Sequence, residues 1–153
     1  AFFMGDRVSV MSSGRLEQTG TAYELFHRPE TKFVAEFLGT ADFVPCSLRG
    51  GVAETEIGPL PCPDYSDTGG EALHVLVRPD DITVTESYSE GNGEVSALTF
   101  RGTNYVYRVK LDSGTVVHAY GPHDGVLARG VRVRAAFDPH YRPVFFRSGL
   151  RVK

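Results

Sequence analysis

His118 and His123, with Asp124 beside the second, are the nearest thing in this chain to a metal-ligand set. Such donors hold a divalent ion only when the backbone brings them together. At a strand end and a turn they are expected to face solvent, so no metal site is assigned. His27, His74 and His140 are isolated; His74 is expected to be a strand histidine with its hydrogen bonds met, the other two surface residues. Asp80 and Asp81 are adjacent, and neighbours on an extended segment point opposite ways, which makes them a poor acid–base pair. After Pro79 they read as turn residues. Arg78 is different. It ends the apolar run Leu73–Val77, where a charge is costly unless it is paired. It either bridges to a carboxylate, one of the following aspartates or a distant one, or contacts an anion or a partner. Arg101 precedes Tyr105 and Tyr107, and an arginine beside exposed aromatics can stack on bases; the face the tyrosines share would serve equally as core or as an interface between copies. Cys46 and Cys62 are too few for a disulfide scaffold and fit no zinc spacing. Two thiols in a reducing compartment are expected, with a disulfide closing the intervening loop as the alternative.

No catalytic signature accompanies these residues. The sequence has no G-x-x-x-x-G-K-[ST], no G-x-S-x-G, no H-E-x-x-H and no C-x-x-C. Its 16 Lys+Arg against 19 Asp+Glu give a net charge of -3, without the basic excess that phosphate neutralisation requires. Nucleic acid is therefore not an expected partner; a loose basic group at Arg129, Arg132 and Arg134 is all that speaks for it. With 41% hydrophobic residues in 153, a packed core is feasible. No apolar run approaches the ~20 residues of a membrane span. No signal peptide is visible, since Phe2-Phe3-Met4 is followed at once by Gly5-Asp6-Arg7. A start on Ala that runs directly into structure is expected of an excised piece.

The positioning elements fall into two groups. Asp6–Met11 and Arg15–Gln18 alternate around Ser12-Ser13-Gly14 and predict a hairpin. Thr21 with Glu24 makes a capping box for a helix that stops before Pro29. Pro29 suits the first turn of a second helix, Glu30–Leu38, with Phe33, Val34 and Phe37 on one face and Gly39 just past its end. Beyond Gly39 the pattern is all β: Phe43–Leu48, Val52–Ile57, Leu73–Val77, Ile82–Val84, Glu94–Arg101, Asn104–Leu111, Thr115–Tyr120, Val131–Phe137 and Val144–Phe146. Pro59–Gly70 reads as a loop. Strands at this spacing predict a small barrel or sandwich, and about five of them from Leu73 onward suit an OB-like barrel. The fold class expected is mainly β, an OB-like barrel preceded by a hairpin and two short helices.

The N-terminal residues also carry a resemblance. Asp6-Arg7-Val8-Ser9-Val10-Met11, Gly14 to Thr21, Tyr23 to Pro29 and Phe33-Val34-Ala35-Glu36-Phe37-Leu38-Gly39 closely resemble, in order, the end of the ATPase domain in ABC importers of the maltose, polyamine and ferric-iron group. Gly5 and Ala22 depart from its usual Ala and Pro. The later residues look like the family's TOBE regulatory domain, through Phe43-Val44-Pro45, Arg78-Pro79-Asp80 and Arg101-Gly102. The resemblance implies that residues 1–39 are the tail of an ATPase domain and 40–153 a TOBE-type, OB-like regulatory domain. It implies that the ATP- and Mg-handling motifs belong to a longer parent, so this chain carries no catalytic residue and no cofactor. It further implies self-association as a homodimer, contact with the transporter's membrane subunits, and a cytoplasmic place at the inner membrane face. The alternative is a sensor of an oxyanion or metal-loaded solute. Arg78, Asp80 and Arg101 are the candidate ligand or partner contacts.

Overall fold

The computed structural model describes residues 5–62, 72–122 and 124–152. It opens with the hairpin, β1 (Val8–Ser12) and β2 (Arg15–Gly20). Ser13 and Gly14 both hold positive φ, 49° and 75°, as a type I′ turn requires. Helix α1 (Ala22–His27) starts at the foreseen capping box. Thr21 Oγ1 accepts from the Glu24 N–H at 3.1 Å, and Glu24 accepts from the Thr21 N–H at 2.8 Å.

The second helix differs from expectation. Helix α2 spans only Lys32–Phe37, and its N-cap is Thr31, whose Oγ1 accepts from the Val34 N–H at 3.1 Å. Pro29 lies outside it, buried ahead of the cap. The buried face is Val34 and Ala35, whereas Phe33 and Phe37 stack on each other at the surface. Val34 packs with Val10 and Leu25 beneath the hairpin, and Ala35 meets Leu76 and Phe146 of the sheet below.

The remaining strands form two sheets. One is six-stranded, in the order β13-β12-β6-β3-β4-β5, built from β3 (Asp42–Arg49), β4 (Val52–Thr55), β5 (Pro59–Pro61), β6 (Leu73–Val77), β12 (Phe145–Arg147) and β13 (Leu150–Arg151). The other is five-stranded, in the order β10-β9-β8-β11-β7, from β7 (Ile82–Glu86), β8 (Gly93–Phe100), β9 (Tyr105–Leu111), β10 (Val116–Gly121) and β11 (Arg132–Phe137). Within it β7 comes round beside β10, and the Tyr120 N–H donates to the Pro79 carbonyl at 3.0 Å, closing an OB-like barrel. The sequence reading differs here in two ways. Leu73–Val77 pairs with Asp42–Arg49 on one side and with the strand near Phe146 on the other, outside the five-stranded barrel. Pro59–Pro61, read as loop, is an edge strand on β4, a position where proline's missing donor does no harm. The rest of that loop beyond Cys62, residues 63–70, lies outside the described residues.

Both sheets contribute to one core. Val44, Ala53, Val75 and Val77 from the first join Val95, Val109, Val117, Val133 and Ala135 from the second, all fully buried. Asp42 ties the sheets at their border: it accepts from the His118 backbone N–H at 2.7 Å and lies 3.1 Å from His118 Nδ1. Burial raises the Asp42 pKa, and the charge and hydrogen bonds of His118 oppose that rise. Tyr107, 2% exposed, lays its ring over Gly121, and its hydroxyl accepts from the Leu127 N–H at 2.9 Å. A Cβ on Gly121 would stand 2.0 Å from Tyr107 Cε2. Gly121→Ala is therefore expected to cost about 2 kcal/mol by overpacking, read as a lower urea midpoint at unchanged slope.

Candidate functional site

Arg78 sits where the chain passes from β6 of one sheet to β7 of the other. The turn is fixed locally: the Asp81 N–H donates to the Arg78 carbonyl at 2.9 Å, and Asp81 Oδ2 accepts from the Arg78 N–H at 2.7 Å. The aspartates thus act as turn residues, as expected. The guanidinium turns the other way, into the molecule, and Arg78 is only 4% exposed. Its Nη1 donates to the Thr40 carbonyl at 3.1 Å, and its Nη2 to the carbonyls of Phe26 at 3.2 Å and Ala35 at 3.3 Å. The ring of Phe26 lies against its Cζ at 3.9 Å. Among the described residues no side-chain carboxylate accepts from the guanidinium; the acceptors are the last turns of α1 and α2 and the segment after them. Helix C-termini carry partial negative charge and unpaired carbonyls, which is what an arginine satisfies. Burial lowers the Arg78 pKa and Asp81 and Asp80 oppose that, but arginine starts so far above neutrality that it stays charged.

Beside Arg78 opens a cleft of about 660 Å³ between α1 and the segment joining β11 to β12. His27, Arg28, Asp81, Asp138, His140 and Arg142 line it with mixed charge, and Asp80 stands exposed at its edge. Burial first, then the neighbouring Asp80, pushes the Asp81 pKa up to about 6, while the Arg78 N–H pulls it down. Tyr141 closes the floor. Its hydroxyl donates to the Leu76 carbonyl, its ring stacks on Phe137 at 5.0 Å, and burial raises its pKa.

The structure therefore brings Arg78 and Asp80 to one cleft and leaves Arg101 elsewhere. Arg101 is exposed in the β8–β9 turn, its N–H donating to the Asn104 carbonyl at 2.8 Å, beside the Phe100 and Tyr105 ring pair at 5.1 Å. Tyr107 belongs to the core. Arg132 is taken up by a two-pronged bond to Asp112, and Arg134 donates to the Glu90 carbonyl. His123 lies outside the described residues, and among those described no group of three His, Cys, Asp or Glu could hold a metal ion. No helix of the structure is long and apolar enough to cross a membrane. The sequence reading missed Asp138, Tyr141 and the β11–β12 segment, whose only signal was an Asp-Pro turn.

Cys46 and Cys62 are both thiols. Burial, and then Cys62, pushes the Cys46 pKa up to about 11. Only the thiolate is a good nucleophile. At pH 7.5 iodoacetamide should therefore alkylate Cys46 roughly a hundredfold more slowly than a free cysteine of ordinary pKa, followed by mass spectrometry.

Residues 75–145 match the family described as the TOBE domain. The chain carries a TOBE domain. That segment holds all of the five-stranded barrel together with Arg78, Asp80 and Arg101. The chain as a whole is similar to ATP-binding proteins of importers. It is 40% identical over 138 residues to an Fe(3+) ions import ATP-binding protein of Streptomyces coelicolor, a match spanning 90% of this chain and 39% of that protein. It is 32% identical over 129 residues to a spermidine/putrescine import ATP-binding protein of Marinobacter nauticus, across 78% of this chain and 35% of the other. A sulfate/thiosulfate import ATP-binding protein of Chromobacterium violaceum is 42% identical over 85 residues, across 55% and 23%. The resemblance carried by the N-terminal motifs and the TOBE domain is thereby borne out. The TOBE-bearing chain spans about two fifths of the length of such relatives.

Proposed function

We propose that this chain is the non-catalytic C-terminal region of the ATP-binding subunit of an ABC importer. In this reading residues 1–39 are the tail of the ATPase domain and residues 40–153 the regulatory part. ATP and Mg are handled by the rest of the parent, because no residue of this chain matches the family's nucleotide motifs. The observation that carries the reading is the similarity to the Streptomyces coelicolor ferric-iron import protein along 90% of the chain. The parent would drive solute uptake, of ferric iron or a polyamine, from the cytoplasmic face of the membrane in complex with the transporter's membrane subunits. A chimera tests this: the matching segment of that relative is replaced by this chain. Retained ATP-driven iron uptake supports the reading, and a folded chimera that assembles yet does not transport overturns it.

The same region is proposed to pair two subunits through its barrel, where Phe100 and Tyr120 stay exposed at 58% and 47%. Light scattering over a concentration series should give a dimer mass; a monomer throughout removes this role. The cleft beside Arg78 favours a second reading, an effector site for an oxyanion or a metal-loaded solute. Such a ligand raises the melting temperature with concentration, and a flat response to a panel of anions and metal complexes discards it.

A further inference from the structure

We propose that Arg78 is a latch that makes the helix pair and the β-sheets move as one body. A second latch holds the opposite side of the same joint. There Arg151 pairs with Glu30, the Arg151 N–H donates to the Glu30 carbonyl at 2.9 Å, and the Lys32 N–H donates to the Gly149 carbonyl at 2.9 Å. Thr31 and Leu150 form an isolated bridge between these bonds. The cleft lies between the two latches and is lined by residues of both, Arg78 and Arg151.

The two latches differ in kind. The Glu30–Arg151 pair joins partly exposed side chains, 33% and 22%, so solvent and salt weaken it. Arg78 is buried, and a single guanidinium collects the ends of α1 and α2 and the exit from α2 at once. Its geometry cannot be met by halves. A tilt of either helix away from β6 stretches a bond to a buried cation that has no solvent to replace it. Gly39, just past α2, holds φ of 154°, a backbone that side-chain-bearing residues rarely adopt, and so fixes the course of the chain beside Arg78. Displacement of the helix pair is therefore passed to β6, and through the Arg78–Asp81 turn to β7 of the barrel. Arg78 acts as a positioning residue of the joint, and a lysine, with one ammonium in place of the planar fork, cannot hold three spread carbonyls.

Amide hydrogen exchange of the whole chain tests this, comparing wild type with Arg78→Lys and Glu30→Gln. Arg78→Lys should quicken exchange tenfold or more at the amides of Arg28, Leu38 and Gly39 while Val95, Val109 and Val133 in the barrel keep their protection. Glu30→Gln should loosen only residues 30–32 and 149–151, and more weakly. Unchanged exchange in the helix pair of Arg78→Lys overturns the latch. So does an increase spread evenly over helices and barrel, which marks a general loss of stability. Should Arg78→Lys not fold, exchange of the wild-type chain decides: the amides of Arg28, Leu38 and Gly39 opening together with those of β6 support the latch, and the helix amides opening well before β6 overturn it.

Discussion

Replacing Arg78 with methionine is expected to lower the unfolding free energy by about 3 kcal/mol. Methionine fills much of the same volume, so the loss is not a cavity. It comes from the carbonyls of Phe26, Ala35 and Thr40, which lose their donors, and from the contact with the Phe26 ring. Each buried carbonyl left without a partner costs on the order of 1–3 kcal/mol, and relief of the buried charge offsets part of the sum. Urea denaturation of the two proteins gives the difference. A change below about 0.5 kcal/mol, the range of an ordinary surface substitution, would mean that the carbonyls find water instead.

Asp81→Asn is expected to act in the opposite direction, and only above acid pH. In the folded chain Asp81 titrates near 6, against an ordinary value of 3.8, chiefly because it is buried. The folded state therefore holds a proton between about pH 4 and 6 that the unfolded state has released, so stability from this group falls as pH rises through that window. Above pH 6 the full cost of the buried carboxylate is present. Asparagine keeps an oxygen to accept the Arg78 N–H but carries no charge. At pH 7.5 the variant should be more stable by roughly 2 kcal/mol, after allowance for the solvent that reaches the group, and near pH 4 the two proteins should converge. Melting curves across pH 4 to 8 read this directly. If Asp81→Asn is instead less stable at pH 7.5, attraction between the Asp81 charge and Arg78 outweighs burial.

These two residues mark how far a sequence carries. The capping box at Thr21 and Glu24, the aspartate turn after Pro79 and most strands were legible, because each depends on neighbours within a few residues. The destination of Arg78 was not. A charge at the end of an apolar strand signals a buried partner, yet the partners are backbone carbonyls 38 to 52 residues earlier, and every residue type supplies a carbonyl. The division of strands between sheets was hidden for a similar reason: alternation tells which face a strand buries and nothing of its neighbour. Phe33 and Phe37 misled because an apolar pair four residues apart predicts a buried face, whereas the face of α2 that packs on the hairpin and the sheet is that of Val34 and Ala35. Asp138 and Tyr141 gave no sign of facing Asp81, since the segment that carries them has no periodicity of its own.

The interleaving of the two sheets has a consequence for the order in which the chain can assemble. Strands β7 to β11 are contiguous, from Ile82 to Phe137, and so all of their pairings close within that stretch, the widest between Ile82 and Phe137 themselves. The six-stranded sheet is split around them: β6 precedes the barrel, and β12 and β13 follow it. Glu30 and Arg151 meet across 121 residues. As the polypeptide leaves the ribosome, the barrel can complete itself while the host sheet still lacks an edge and the helices are held on one side alone. Nascent chains should thus pass through a stage with a finished barrel and a half-fastened N-terminal third, and only the emergence of Phe145 to Arg151 seals the molecule.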